Sequence, residues 1–263
     1  MATVADILCF LETLAPAYMK EDWDRVGLNC GHMDAKVNRI LVALDPFADV
    51  CQEAKEVGAD LLVTHHALLW TPGFITDQDA QGRNALFLIE NNIACINAHT
   101  NLDCAPGGVN HILAEKLGLK EIQVIDPKGN DENGKPYGLL RQGTVAKQPL
   151  DQFLSIVKIA LGCDGLRYVS SGKAVRKVAV GGGACASEMW QAAAAGCDTF
   201  VTADVKYNQF WDAKELGINL IDAGHFHTEN PVCRYLTQQL RQAFPEITVT
   251  MSAKHQDCAK FFH

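Results

Sequence analysis

The segment LLVTHHALLW, residues 61–70, places two histidines, His65 and His66, at the end of an apolar run. Successive side chains of a strand point to opposite faces, so neighbours share a task only where the strand has ended and the chain turns. Two other apolar runs end in the same kind of chemistry. NIACINAHTNLD closes with His99 and Asp103 in an H-x-x-x-D spacing, and GINLIDAGHFHTE closes with His225 and Glu229 in an H-x-x-x-E spacing. One metal ion takes three or four such donors; this larger set, with carboxylates able to bridge, suits a pair of ions roughly 3.5–4 Å apart. Imidazole and carboxylate without cysteine point to Zn, Fe, Mn or Co rather than Cu(I) or an iron–sulfur cluster. Any one of these histidines could be a hydrogen-bonded core residue, but their recurrence at strand ends makes a metal site the expectation.

The elements that must position these residues repeat along the chain. Residues 39–66, RILVALDPFADVCQEAKEVGADLLVTHH, align without a gap on residues 177–204, KVAVGGGACASEMWQAAAAGCDTFVTAD. Gly58, Asp60, Val63 and Thr64 match Gly196, Asp198, Val201 and Thr202. Any two strand–helix–strand units share a period, but identities this dense without a gap favour common ancestry. Beyond the match, the first half holds about a dozen extra residues, assigned to the loop TPGFITDQDAQG. The expected fold is α/β: two pseudo-symmetric α/β lobes, residues 1–125 and 126–263, intimately packed, with the metal site between them at the carboxyl ends of the strands. Around them the sequence predicts an N-terminal helix, a helix over VNHILAEKLGL, a loop at PKGNDENGKPYG, a small strand–helix–strand between 139 and 175, and a closing helix and strand, PVCRYLTQQLRQAF and ITVTM.

The bulk numbers narrow the function class. The chain has 263 residues, 48% of them hydrophobic, enough for a full core. A formal charge of −8 opposes nonspecific attraction to nucleic acid or anionic membrane. No apolar run approaches the ~20 residues that span a bilayer. The start reads as an amphipathic helix and not a signal peptide, and ten scattered cysteines without a C-x-x-C pair read as reduced thiols, so a cytoplasmic location is expected.

THH, AHTNLDCAPGGVN, the GGG after the second-half strand, AGHFHTE and WDRVGL together resemble the GTP cyclohydrolase I type 2 homologues, a family of dinuclear-metal-centre hexameric proteins. The resemblance covers essentially the whole chain, in a short form without the domain that some members insert between the lobes. It implies metal ligands at His65, His66, Asp103, His225 and Glu229, with His99 close to the site, and a toroidal homohexamer. The activity it implies is a metal-dependent hydrolase opening the purine ring of GTP, in which His99 is the nominated catalytic proton donor. The expected substrate is small and nucleotide-like or phosphate-bearing. The alternative is a ring-shaped metal-binding scaffold without catalysis. Cys104 and His111 depart from the family pattern and are read as neutral replacements, His227 as a pocket residue, and Trp23 and Trp70 as core or rim aromatics. GGGACASE at 181–188 is read as a tight strand-to-helix turn rather than a phosphate cradle.

Overall fold

The computed structural model describes residues 1–70 and 73–262; Thr71 and Pro72, which open the expected loop at 71–82, lie outside the described residues. In chain order the first elements are α1 (Val4–Leu14), β1 (Gly27–Cys30), β2 (Arg39–Ala43), α2 (Ala48–Glu56), β3 (Leu61–Thr64), α3 (Ala80–Glu90), β4 (Ala94–Asn97) and α4 (Thr100–Cys104). Then come α5 (Val109–Lys116), β5 (Lys120–Ile125), β6 (Gly129–Asn130), β7 (Pro136–Tyr137), β8 (Leu140–Gln148), α6 (Leu150–Leu161), β9 (Arg167–Val169), β10 (Val175–Val180), α7 (Met189–Ala194), β11 (Thr199–Thr202), α8 (Tyr207–Leu216), β12 (Asn219–Asp222) and α9 (His225–Glu229). The last are α10 (Pro231–Ala243) and β13 (Thr248–Met251).

The fold is α/β, in two compact units: Met1–Leu102 with Val232–Gln256, and Asp103–Pro231 with Asp257–His263. The lobes expected from the sequence were 1–125 and 126–263. Two pairings cause the difference: β13 returns to lie parallel to β2, and β5 pairs with β8. A closing strand therefore belongs with the first sheet, and residues just before 125 belong with the second.

The first unit has a five-stranded sheet in the order β1-β4-β3-β2-β13. Strands β4, β3, β2 and β13 run parallel, and β1 is antiparallel at the edge. Every residue of β3 and β4 is buried, as parallel strands covered on both faces require. Leu41, Leu62 and Cys95 pack with Val50, Ala54 and Leu88 of the covering helices. At the start of α1, Thr3 accepts from the Asp6 amide while the Asp6 carboxylate accepts from the Thr3 amide, a reciprocal cap that defines where the helix begins.

The second unit has a six-stranded sheet, β5-β8-β10-β11-β12-β9. Its centre, β10-β11-β12, is parallel, and β8 and β9 flank it antiparallel. Alternation along β10 sends Val178 and Val180 to one core with Phe153 and Val157, and Ala179 to another with Phe200, Leu220 and Met189. The stretch at 127–138 is not wholly loop: β6 and β7 form a two-stranded hairpin.

The internal repeat is visible in the register. Ile40 faces Leu61 across β2 and β3, and the matching residues Val178 and Thr199 face each other across β10 and β11. The repeated aspartates do the same work in each unit. Asp60 accepts from the Asn38 and Arg39 amides, and Asp198 from the Arg176 and Lys177 amides, so each carboxylate satisfies the backbone donors where its first strand begins. Gly58 and Gly196 both have positive φ, +67° and +77°, the left-handed turn that ends the helix before the second strand.

Candidate metal centre

In the first unit, β3 and β4 end side by side, with Thr64 opposite Asn97. The residues that follow them bring His65, His66 and His99 together, each buried, with one ligand atom from each within 4.8 Å of the others. The ring of His65 lies 4.9 Å from that of His66 and 5.1 Å from that of His99, centre to centre.

What holds each ring is informative. His65 Nδ1 lies 2.8 Å from the Ala98 carbonyl oxygen, His66 Nδ1 2.6 Å from Asp45 Oδ1, and His99 Nδ1 2.9 Å from Asp24 Oδ2. A carbonyl only accepts, and so does an ionised carboxylate, so Nδ1 carries a hydrogen in all three rings, and Nε2 is the nitrogen that can serve as ligand or proton acceptor. Asp24 also accepts from the Thr100 amide at 3.0 Å and from the Thr100 hydroxyl. Burial pushes the Asp24 carboxyl up, but its bonds to His99 and Thr100 outweigh burial and hold it at about 2. Burial opposes ionisation of Asp45 too, and hydrogen bonds from His255 and His66 overcome it, keeping the carboxyl well below its ordinary range.

In the second unit, α9 begins directly after β12 and carries His225 and Glu229 one turn apart, on the same face. His225 Nε2 and Glu229 Oε2 lie 2.9 Å apart, while His225 Nδ1 lies 2.7 Å from Asp204 Oδ2. Its Nδ1 is anchored like those of the other three, but its Nε2 also faces a carboxylate oxygen. Asp204 adopts φ +52°, a conformation that aspartate tolerates better than most residues. Gly183, with φ +62°, passes so close to the pair that a Cβ there would sit 2.1 Å from Glu229 Oε1 and 3.0 Å from His225 Nε2. Its amide donates to Thr228 Oγ1, and the Gly182 amide donates to Asn110 Oδ1. The glycine-rich stretch is thus a tight turn wrapped around a carboxylate.

Asp103, buried in α4, has Asn110 Nδ2 3.4 Å from its own carbonyl oxygen. Burial, then the charges of Asp103 and Glu229, push the Cys185 thiol well up, which places both carboxylates within electrostatic reach of that sulfur. Burial pulls the Arg141 guanidinium down to about 10, against the opposing pull of Cys104 and Asp103. The Arg141 side chain donates to the carbonyls of Cys104, Ala105, Gly138 and Leu140, closing the turn after α4.

The other singled-out residues fall outside these groups. His111 sits one helical turn from Glu115, at 3.5 Å. His227 Nε2 lies 3.3 Å from Asp257 and its ring packs edge-on against Phe226. Trp23 and Trp70 are rim residues, both edge-on to His99 at 5.9 and 4.9 Å. Sequence reasoning missed Asp24, Asp45 and Ala98 as the acceptors that orient the rings. Asp24 lies within the quoted WDRVGL stretch and Asp204 is the repeat partner of His66, so each had a signal; Asp45 had none.

Fold and donors define a class: an α/β protein whose buried His, Asp and Glu groups could bind metal ions. The chain belongs to the Duf34/NIF3 (NGG1p interacting factor 3) family, whose model matches residues 2–258. It is 34% identical over 257 residues to the GTP cyclohydrolase 1 type 2 homolog of Clostridium perfringens, covering 95% of this chain and 96% of that one. Identity to the Streptomyces coelicolor homolog is 35% over 251 residues, covering 91% and 86%. The crystal structure of a Bacillus cereus protein related to NIF3 matches with a TM-score of 0.93 at 25% identity, over 100% of this chain and 99% of that one.

Proposed function

We propose that the protein is a metal-dependent hydrolase that takes two divalent ions, Zn, Fe, Mn or Co, on His65, His66, Asp103, His225 and Glu229. The observation that carries this reading is the shared orientation of the imidazoles. Each Nδ1 is anchored on an oxygen that only accepts, which fixes the ring and makes Nε2 the nitrogen it can offer to a cation. Four imidazoles ordered this way by four different oxygens have no need of that uniformity as core residues. The Gly183 turn fits the same reading, since it leaves room for the Glu229 carboxylate where any side chain would fill it.

When bound, the ions would supply Lewis acidity toward a water molecule and a substrate oxygen. The chain's own part in proton transfer falls to His99. Its Nδ1 is anchored on Asp24, whose carboxyl stays ionised, so Nε2 is the atom at which a proton would be held and delivered to a leaving nitrogen. A small nucleotide-like or phosphate-bearing substrate fits the acidic chain better than a long nucleic acid. Purine ring opening of the GTP cyclohydrolase kind is the specific reaction suggested by the names of the relatives. We place the protein in the cytoplasm as a homohexamer. Among the described residues no helix is long and apolar enough to cross a membrane.

Steady-state assays on GTP and a nucleotide panel, with and without chelator, test the chemistry. Metal-dependent turnover that falls in His99→Ala, with most metal retained, is expected. No metal-dependent turnover of any substrate would favour the scaffold instead. Light scattering should give a closed oligomer, and a monomer at micromolar concentration would reject the hexamer.

A further inference from the structure

The segment after β13 is fastened by a dense set of hydrogen bonds. Buried Glu53 of α2 accepts from the Ser252 hydroxyl, from the Ala253 amide at 2.9 Å and from the Lys254 amide at 3.2 Å. The His255 amide in turn donates to Ser252 Oγ at 3.1 Å, and the His255 ring packs edge-on against Phe47. These contacts aim one atom. His255 Nε2 lies 2.9 Å from Asp45 Oδ2, while Asp45 Oδ1 lies 2.6 Å from His66 Nδ1. One carboxylate therefore takes two imidazoles, one on each oxygen. Bound at one oxygen only, a carboxylate can still swing about its terminal torsion; bound at both, it cannot.

We infer that His255 is a positioning residue for His66, acting through Asp45: it fixes the carboxylate that fixes the tautomer and direction of the ligand imidazole. The inference rests on the proposed role of His66 as a metal ligand, and it extends the site to a residue 189 positions further along the chain than His66. Outer partners of this kind usually change metal affinity ~10–100-fold when removed, without contacting the metal.

Three variants separate this role from simple fastening of the segment. His255→Phe keeps a ring and loses the hydrogen bond, His255→Gln keeps a donor, and Ser252→Ala loosens the segment without touching Asp45. Zn²⁺ affinity, measured by competition with a chromophoric chelator, should weaken at least ~10-fold in His255→Phe and recover in part in His255→Gln. Ser252→Ala should lose less affinity than His255→Phe even where it lowers the apo melting temperature more. The nitrogen chemical shifts of His66 in the metal-free protein give an independent readout. The wild type should hold His66 in the Nδ1–H tautomer, and His255→Phe should mix the two. Wild-type affinity and wild-type His66 shifts in His255→Phe would overturn the inference, as would equal losses in His255→Phe and Ser252→Ala. If the wild type binds no Zn²⁺, the ligand reading fails, and the His66 shifts alone decide whether His255 orients the ring.

Discussion

The two halves of the repeat share a register and a backbone design, yet they equip equivalent positions with opposite chemistry. Where the first half has His65 and His66, the second has Ala203 and Asp204; where the first has Asp45, the second has Gly183. In the first unit a carboxylate before the helix supports an imidazole after the strand, His66 on Asp45. In the second unit the carboxylate stands after the strand, supporting His225, and the position before the helix has lost its side chain to make room for Glu229. The paired strands end at equivalent residues, Asn97 opposite Thr64 and Asp222 opposite Thr202, so His99 lies two residues beyond its strand and His225 three. That slip of one residue separates the H-x-x-x-D and H-x-x-x-E spacings that look alike in the sequence. A duplicated scaffold thus yields one unit rich in imidazole and one rich in carboxylate, with His65, His66, His99 and His225 each oriented by an oxygen on its own unit.

The largest effect that would break this contrast is expected at its tightest point. Gly183→Ala would force a methyl group 2.1 Å from Glu229 Oε1 at a φ of +62°. The overpacking alone should cost about 1–3 kcal/mol, with the strained backbone adding to it, read by denaturant unfolding. Asp45→Gly, the reciprocal change, should cost less fold stability and act mainly on metal affinity. Equal stability losses would show that the two positions are not specialised.

Next in size is the support of His225. Asp204→Asn keeps a residue that tolerates positive φ but replaces the charged oxygens with an amide. Metal affinity should fall roughly 10–100-fold with little change in melting temperature. An unchanged affinity would mean that the second unit does not need the orienting oxygen that its counterpart has.

The smallest effect sharpens the electrostatic side of the comparison. Asp24 is held at about 2 within the fold, below its unfolded range near 4, by partners that outweigh burial. A lowered carboxyl contributes stability that is complete above the unfolded value and lost as pH falls through the folded one. The wild type should therefore lose stability between about pH 4 and pH 2, and Asp24→Asn should flatten that limb in denaturant titrations. An identical acid limb in both proteins would contradict the assignment.

Much of this was legible in the sequence because it is periodic or repeated. The apolar runs ending in THH, in AHTNLD and in AGHFHTE gave the strands, and the gapless match of 39–66 on 177–204 gave two α/β halves. The division between units was not legible, because it depends on β13 pairing with β2 rather than on any local feature. Strand β13 could be read, but its partner could not. The ring supports were hidden for similar reasons. The Ala98 oxygen is backbone and leaves no mark in composition, and Asp45 and His255 meet across 210 positions. Donors announce themselves by type and spacing, whereas the groups that orient them are defined only once the chain has folded.

The proposed pair of divalent ions on His65, His66, Asp103, His225 and Glu229 is open to direct test by metal stoichiometry. Elemental analysis of the wild type after reconstitution with excess Zn²⁺ and gel filtration should approach two ions per chain, and fall sharply in Asp103→Ala and in Glu229→Ala. A wild-type value near zero, or one that these substitutions leave unchanged, would contradict the account.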